Sequence, residues 1–219
     1  MDLEQIAANL DQTDFQYRIK AIAALREYPA ETAVDILIKQ ANDPEFLVRT
    51  FVARELGHKP TPESFAALLE MIKLDDTPSV RAEAANSISF FGQASAPHLV
   101  QTFVMDDHWL VRRSIIPALV ELECFEEVLE VFKIGMAGED AAVQEAVIDS
   151  LGALAQTPQA ETALQELLAL VTVEEDYLRI RVAYALQNFK AQSSAQAALL
   201  NMQKDTDHKV AGAALEAFI

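Results

Sequence analysis

A single cysteine, Cys124, is the whole thiol content of the 219 residues, so no internal disulfide can form. A reducing, cytoplasmic setting is therefore expected. Glycine (6) and proline (8) are scarce, too few for a chain of many strands joined by tight turns. No apolar run approaches the roughly 20 residues that a membrane-spanning helix needs, so no integral membrane segment is expected. The opening stretch Met1-Asp2-Leu3-Glu4-Gln5 lacks the basic region and apolar run of a secretory leader. Cations are also short: 17 Lys and Arg stand against 34 Asp and Glu, a net charge of −17. That balance argues against unaided binding to nucleic acid, whose phosphates need clustered Lys and Arg. There is no Gly-rich phosphate loop, no CxxC and no HExxH, so no familiar catalytic or metal-binding signature is present.

What is abundant is apolar, at 51% of residues. It is mostly Ala and Leu, which favour helix. The acids are uneven. Between Glu121 and Leu178 fourteen acids meet one base, Lys133. This stretch is either a solvated surface that maintains solubility or a docking face for a basic partner.

One pattern recurs along the whole chain. Asp43, Val48, Arg49, Val52, Ala53 and Leu56 are followed at the same offsets by Asp75, Val80, Arg81, Ala84, Ala85 and Ile88, then by Asp106, Val111, Arg112, Ile115, Ile116 and Leu119. Anchored on the Arg, seven copies align at Arg18, Arg49, Arg81, Arg112, Gln144, Arg179 and Ala211. The residue before each anchor is apolar (Tyr17, Val48, Val80, Val111, Val143, Leu178, Val210). So is the residue seven after it (Leu25, Leu56, Ile88, Leu119, Leu151, Leu186, Phe218) and the residue twelve before it (Ile6, Leu37, Leu69, Val100, Phe132, Leu167, Leu199). Offsets −1, +3, +4 and +7 share one face of a 3.6-residue helix, and −12 belongs to a preceding helix. Each copy is thus a helix pair that buries its apolar face only against its neighbours. The expected fold is an all-α solenoid of about seven pairs with a period near 32 residues, one repeat domain over residues 1–219. The recurring Asp, six before the Arg, should cap the second helix and face an Arg of its own or the adjacent repeat. The residues Asp43, Arg49, Asp75, Arg81, Asp106, Arg112 and Arg179 form this structural ladder, which fails in the fifth copy, where Gly138 and Gln144 stand.

The signature running from Asp43 through Val48-Arg49 and Ala53 to Leu56 resembles the short HEAT-like repeat named after phycobilisome lyases, and the resemblance covers essentially the whole chain. In composition and size the chain is similar to cyanobacterial E/F-type phycobilin lyase subunits and to the phycobilisome degradation protein. The resemblance implies a scaffold acting on phycobiliprotein subunits, in bilin attachment, detachment or degradation. It implies no required cofactor, with a linear tetrapyrrole as a conceivable ligand, and pairing with another HEAT-like subunit. A generic adaptor and a lyase with chemistry of its own stay open as alternatives. Deoxyhypusine hydroxylase, built on similar repeats, binds iron through His-Glu pairs; here the four histidines precede Lys59, Leu99, Trp109 and Lys209, so that relative is excluded.

No residue is expected to be catalytic or to bind metal. The neighbouring acids at Glu121, Glu123, Glu126 and Glu127 disfavour a Cys124 thiolate. The second helices should line the inner face of the solenoid. Their outward positions, with the helix-start position of Trp109, single out Phe51, Arg54, Trp109, Arg113, Arg181 and Tyr184 as candidate binding residues. Aromatics beside Arg can stack on a planar ligand and pair with its carboxylates. The plainer alternative is that Phe46 and Trp109 staple their helix starts and the Arg residues are solvated. A third expectation is association through the last repeat, where Leu215, Phe218 and Ile219 leave apolar surface.

Overall fold

In the computed structural model, which describes residues 1–218, the repeat offsets become antiparallel helix pairs, and there is no strand among the described residues. The chain divides into two compact units, Met1–Ala118 and Leu119–Ile219.

The first unit holds α1 (Leu3–Leu10) with α2 (Phe15–Ala24), α3 (Ala30–Lys39) with α4 (Phe46–Gly57), α5 (Pro62–Leu74) with α6 (Pro78–Ile88), and α7 (Ala96–Met105) followed by α8 (Trp109–Glu121), in which the boundary falls. Second helices stack in order, α2 on α4 on α6, and so do first helices, α3 on α5 on α7. The second unit repeats the scheme with α9 (Phe125–Met136) and α10 (Ala141–Ala153), α11 (Ala160–Ala169) and α12 (Asp176–Gln187), and α13 (Ser193–Met202) and α14 (His208–Glu216); α10 packs on α12 and α12 on α14. Ile219 lies outside the described residues.

Helix starts have identifiable causes. Asp2 and Gln5 form a reciprocal capping box on α1, Asp14, Asp140 and Asp207 accept from the first-turn N–H groups of α2, α10 and α14, and Thr61 caps α5 ahead of Pro62. Between α8 and α9 the chain reverses through Glu123, whose φ of 57° is the left-handed conformation, with Cys124 N–H donating to the Leu119 carbonyl. Gly57 is needed for close approach: a Cβ there would stand 2.8 Å from Ser87 Cβ and 3.0 Å from its carbonyl oxygen.

The core is formed by the repeated columns. Val48, Val80, Val111, Val143 and Val210 are fully or almost fully buried, as are Leu25, Leu56, Ile88, Leu119, Leu151 and Leu186. Two details differ from the sequence expectation. In the third and fourth pairs the deeply buried residue of the first helix is Leu68 or Leu99, not Leu69 or Val100. The cause is local: α5 and α7 stay helical up to Asp75 and Asp106, whereas α3 ends at Lys39 and reaches Asp43 through a turn, so the face is rotated by one residue. Tyr17 is exposed, because Arg18 and Ala21 take the inward positions of α2. At the far end Leu215 and Phe218 are half exposed, as the sequence of the last repeat leads one to expect.

The Asp–Arg ladder is a set of bidentate forks between consecutive repeats. Arg18 donates to Asp43 from Nε (2.7 Å) and Nη2 (2.9 Å), Arg49 to Asp75 (2.6 and 3.0 Å), Arg81 to Asp106 (2.6 and 3.1 Å) and Arg179 to Asp205 (2.8 and 3.1 Å). The remaining Nη1 of each donates to the carbonyl six residues earlier, at Gln12, Asp43, Asp75 and Val173. Each Arg thus ties its own loop and the next repeat's loop with one planar group, which Lys could not do. The capping expectation needs a correction. The Asp accepts from the N–H two residues on, at Glu45, Thr77, His108 and Asp207, and so shapes the turn that feeds the helix without occupying the cap position. Where Gln144 replaces Arg, its Nε2 still donates to the Gly138 carbonyl at 2.8 Å, and its Oε1 accepts from the Tyr177 hydroxyl at 2.9 Å. Burial, with Glu175 and Glu145 nearby, pushes the Tyr177 hydroxyl up in pKa and keeps it a donor.

Candidate binding faces

In the first unit the second-helix face carries Phe51, Arg54, Trp109 and Arg113. On α4, Arg54 is one turn beyond Phe51, and its guanidinium lies over that ring at 5.1 Å. The same guanidinium donates to Glu83 of α6 at 2.9 Å. That hydrogen bond raises its pKa further, so Arg54 is a fixed cation whose charge is already answered. On α8, Trp109 begins the helix, is 40% exposed and stacks on His108 with 5.9 Å between ring centroids. His108 uses Nδ1 to accept from the Leu110 N–H, which caps α8. Arg113, one turn after Trp109, is exposed and makes no ion pair among the described residues. Pro117 follows four residues later and has no N–H to donate to the Arg113 carbonyl. A flat indole, a free guanidinium and a spare carbonyl thus stand within one turn of each other.

In the second unit Arg181 and Tyr184 lie on α12. Arg181 donates to Glu145 of α10 at 2.9 Å and lies 3.5 Å from Asp149. Tyr184 is exposed beside it. The geometry therefore separates the six candidates: Arg54 and Arg181 are engaged by acids of the neighbouring second helix, whereas Trp109, Arg113 and Tyr184 are open. Glu83 lies on the second helix of the following repeat, two residues past its anchor, and Glu145 on that of the preceding repeat, one residue past its anchor, pairings that sequence spacing alone did not single out.

Cys124 is 7% exposed. Burial, and then the Glu127 carboxylate, push its thiol up, the direction that leaves it protonated and unreactive. Surface depressions open along the ladder loops. One of about 350 Å³ is lined by Asn42, Asp43, Arg49, Glu70, Leu74 and Asp76, and one of about 570 Å³ by Leu74, Asp76, Arg81, Gln101, Met105 and Asp107. In the second unit a depression of about 520 Å³ is lined by Glu174, Arg179, Lys204 and Thr206. Among the described residues no three His, Cys, Asp or Glu side chains converge as a metal site would require, and no helix is long and apolar enough to cross a membrane.

These features define an α-solenoid of helix-pair repeats tied by an Asp–Arg ladder. Residues 3–89 and 35–120 match the HEAT repeats family; that is more than half of the chain, which therefore belongs to this family. A comparison with curated proteins found no match. Among solved structures, the fold is similar to Escherichia coli YibA, with a TM-score of 0.65 at 16% identity over 97% of this chain and 80% of that one. It is also similar to the complex of CpcE and CpcF of phycocyanin lyase from Nostoc sp. PCC7120, with a TM-score of 0.54 at 18% identity over 100% and 95% of the two chains. Kap95 in its complex with Nup1 gives a TM-score of 0.68 at 16% identity, over 98% of this chain but 34% of that one. At these identities the likeness is one of fold.

Proposed function

We propose that this HEAT-repeat chain is a protein-binding scaffold whose partner is a phycobiliprotein subunit, met in a cytoplasmic setting. The observation that carries the binding role is the Trp109–Arg113 face of α8, where an exposed indole and an unpaired guanidinium lie together on a helix held by buried Val111, Ile115 and Ile116. Trp and Arg in that arrangement are the residue types that dominate protein interfaces. The choice of partner rests on the repeat's resemblance to the phycobilisome lyase type and on the similar fold of the phycocyanin lyase chains. The same face fits a linear tetrapyrrole only on one side: Trp109, 40% exposed, offers a stacking surface and the exposed Arg113 a cation for a propionate. Recognition of the protein surface, with the pigment at most touched, follows from that openness.

The test is isothermal titration with purified phycocyanin subunits, with and without their bilin. Arg113→Glu is expected to weaken binding about tenfold or more while the melting temperature stays within about 2 °C of wild type, since the side chain is exposed and makes no ion pair among the described residues. Equal affinity of the folded variant would move the binding face elsewhere, and absence of binding by the wild type would remove the phycobiliprotein as partner. Affinity that appears only with the bilin present would favour the pigment itself as the ligand.

A further inference from the structure

A second surface in the first unit has a chemistry unlike the α8 face. The most exposed large apolar side chains among the described residues are Met105, 77% exposed, and Leu74, 71% exposed. They occupy one register. Each is the last residue of a first helix, α5 or α7, and each immediately precedes a ladder aspartate, Asp75 or Asp106. Both line the same depression of about 570 Å³, and Leu74 also borders the neighbouring one of about 350 Å³. Burial of a Leu or Met side chain is favourable, so two such residues held largely in solvent at equivalent sites offer apolar area that a partner can cover.

The charges around them are sorted. On the floor they cancel: Arg49 is paired with Asp75, Arg81 with Asp106, and Asp43 with Arg18. On the rim they do not. Glu70, Asp76 and Asp107 are exposed and make no ion pair among the described residues, and Lys73 lines the larger depression with Asp76 and Asp107. Asp76 and Asp107 share a register too, one residue past each ladder aspartate. The groove thus alternates an apolar side chain and a free carboxylate, repeat by repeat. The corresponding depression of the second unit has Lys204 and Thr206 in the two places, so the repeat supplies the shape and the first unit alone supplies this chemistry.

We propose that the groove along Leu74–Asp76 and Met105–Asp107 is a docking site for an extended partner segment that carries Lys or Arg between apolar side chains. The complementarity in charge selects the occupant: a basic segment gains from Asp76, Asp107 and Glu70, whereas a second copy of this chain, at −17, is repelled. The spacing follows from the stack. Adjacent first helices lie about 8–10 Å apart, and an extended chain in the polyproline II conformation advances about 3.1 Å per residue with about three residues per turn, so the apolar side chains that reach Leu74 and Met105 from one face are three residues apart.

The probe is a fluorescein-labelled peptide KLKKLK, titrated with the full chain at low salt and read by anisotropy, with ELEELE and KAKKAK as controls. KLKKLK is expected to bind at least tenfold more tightly than either control. Leu74→Ser with Met105→Ser should weaken it about tenfold, and Asp76→Asn with Asp107→Asn about fivefold, the latter difference shrinking in 0.5 M salt. All four side chains point to solvent, so the helical spectrum and melting temperature should be unchanged. Equal binding of KLKKLK and ELEELE, or an unchanged affinity in the Leu74/Met105 variant, overturns the proposal. So does a wild-type dimer in light scattering that the same variant turns into a monomer, since the occupant is then a second copy.

Discussion

Removing the Asp43 carboxylate tests whether the ladder matters because it is buried. The fork from Arg18 is the least exposed of the set: the Arg18 side chain is 11% exposed and that of Asp43 4%. In Asp43→Ala the guanidinium stays buried and loses two charge-assisted hydrogen bonds, of 2.7 and 2.9 Å. Breaking a buried pair from one side costs about 3–5 kcal/mol. Two acceptors survive, the Gln12 and Thr13 carbonyls, which places the loss at the lower end. The hydrogen bond from the Glu45 N–H to Asp43 is lost as well, adding about 1 kcal/mol. A total of about 3–4 kcal/mol is expected. Arg54→Ala is the comparison: it deletes a fork whose Arg is 42% exposed, and such pairs are worth about 0.2–1 kcal/mol. Urea unfolding followed by circular dichroism should show a midpoint shift for Asp43→Ala at least three times that for Arg54→Ala, with slopes compared because repeat arrays lose cooperativity. The double variant Arg18→Met/Asp43→Leu should recover most of the loss, since it removes the stranded charge. If Asp43→Ala and Arg54→Ala shift the midpoint equally, burial does not control the ladder and the reasoning fails.

Three other outcomes follow. Gly57→Ala, which by helix propensity alone should stabilise by about 1 kcal/mol, is expected to destabilise by about 1–3 kcal/mol through the clash with Ser87; a raised melting temperature would show that α4 and α6 separate easily. The hydrogen bonds from Arg179 hold the Asp205 carboxyl below the usual carboxylate range, so its contribution is complete above the unfolded value near 3.9 and is lost as pH falls through the lower folded value. Asp205→Asn should therefore flatten the acid limb of a stability–pH curve below about pH 4, and an unchanged limb would assign it to other carboxylates. Cys124, buried and raised in pKa by burial and by Glu127, should react with a disulfide reagent at pH 8 far more slowly than free cysteine until denaturant is added; labelling at the free rate in the folded protein would contradict its packing.

The helix pairs were legible because one constraint repeats: a face that only a neighbour can cover leaves the same apolar offsets in every copy. The one-residue slip to Leu68 and Leu99 was not, since it depends on how far α5 and α7 remain helical before the ladder turn. Six-residue Asp–Arg spacing pointed to a partnership, but whether the Arg meets its own Asp or the next one is decided by stacking, and it meets the next. On the candidate faces, outward register picked out Arg54 and Arg181 alongside Arg113, but whether each guanidinium is already answered depends on Glu83 and Glu145 in the neighbouring repeat. The groove at Leu74 and Met105 escaped for a related reason: an apolar residue at a helix end reads as core until the structure shows it in solvent.

The ladder also gives the first unit a grammar. The first three repeats each present a donor, Arg18, Arg49 or Arg81, to an acceptor of the one after, and these three joints use the same two words; Arg112 of the fourth donates instead to its own Asp106 carbonyl. Excising residues 43–74 would leave Asn42 followed by Asp75, and Arg18 would meet Asp75 where it now meets Asp43. The chain in this unit can thus be shortened or lengthened by whole repeats without composing a new interface. The joint between Gln144 and Tyr177 is written differently, neutral on both sides, and a repeat moved into or out of that place would find no matching word.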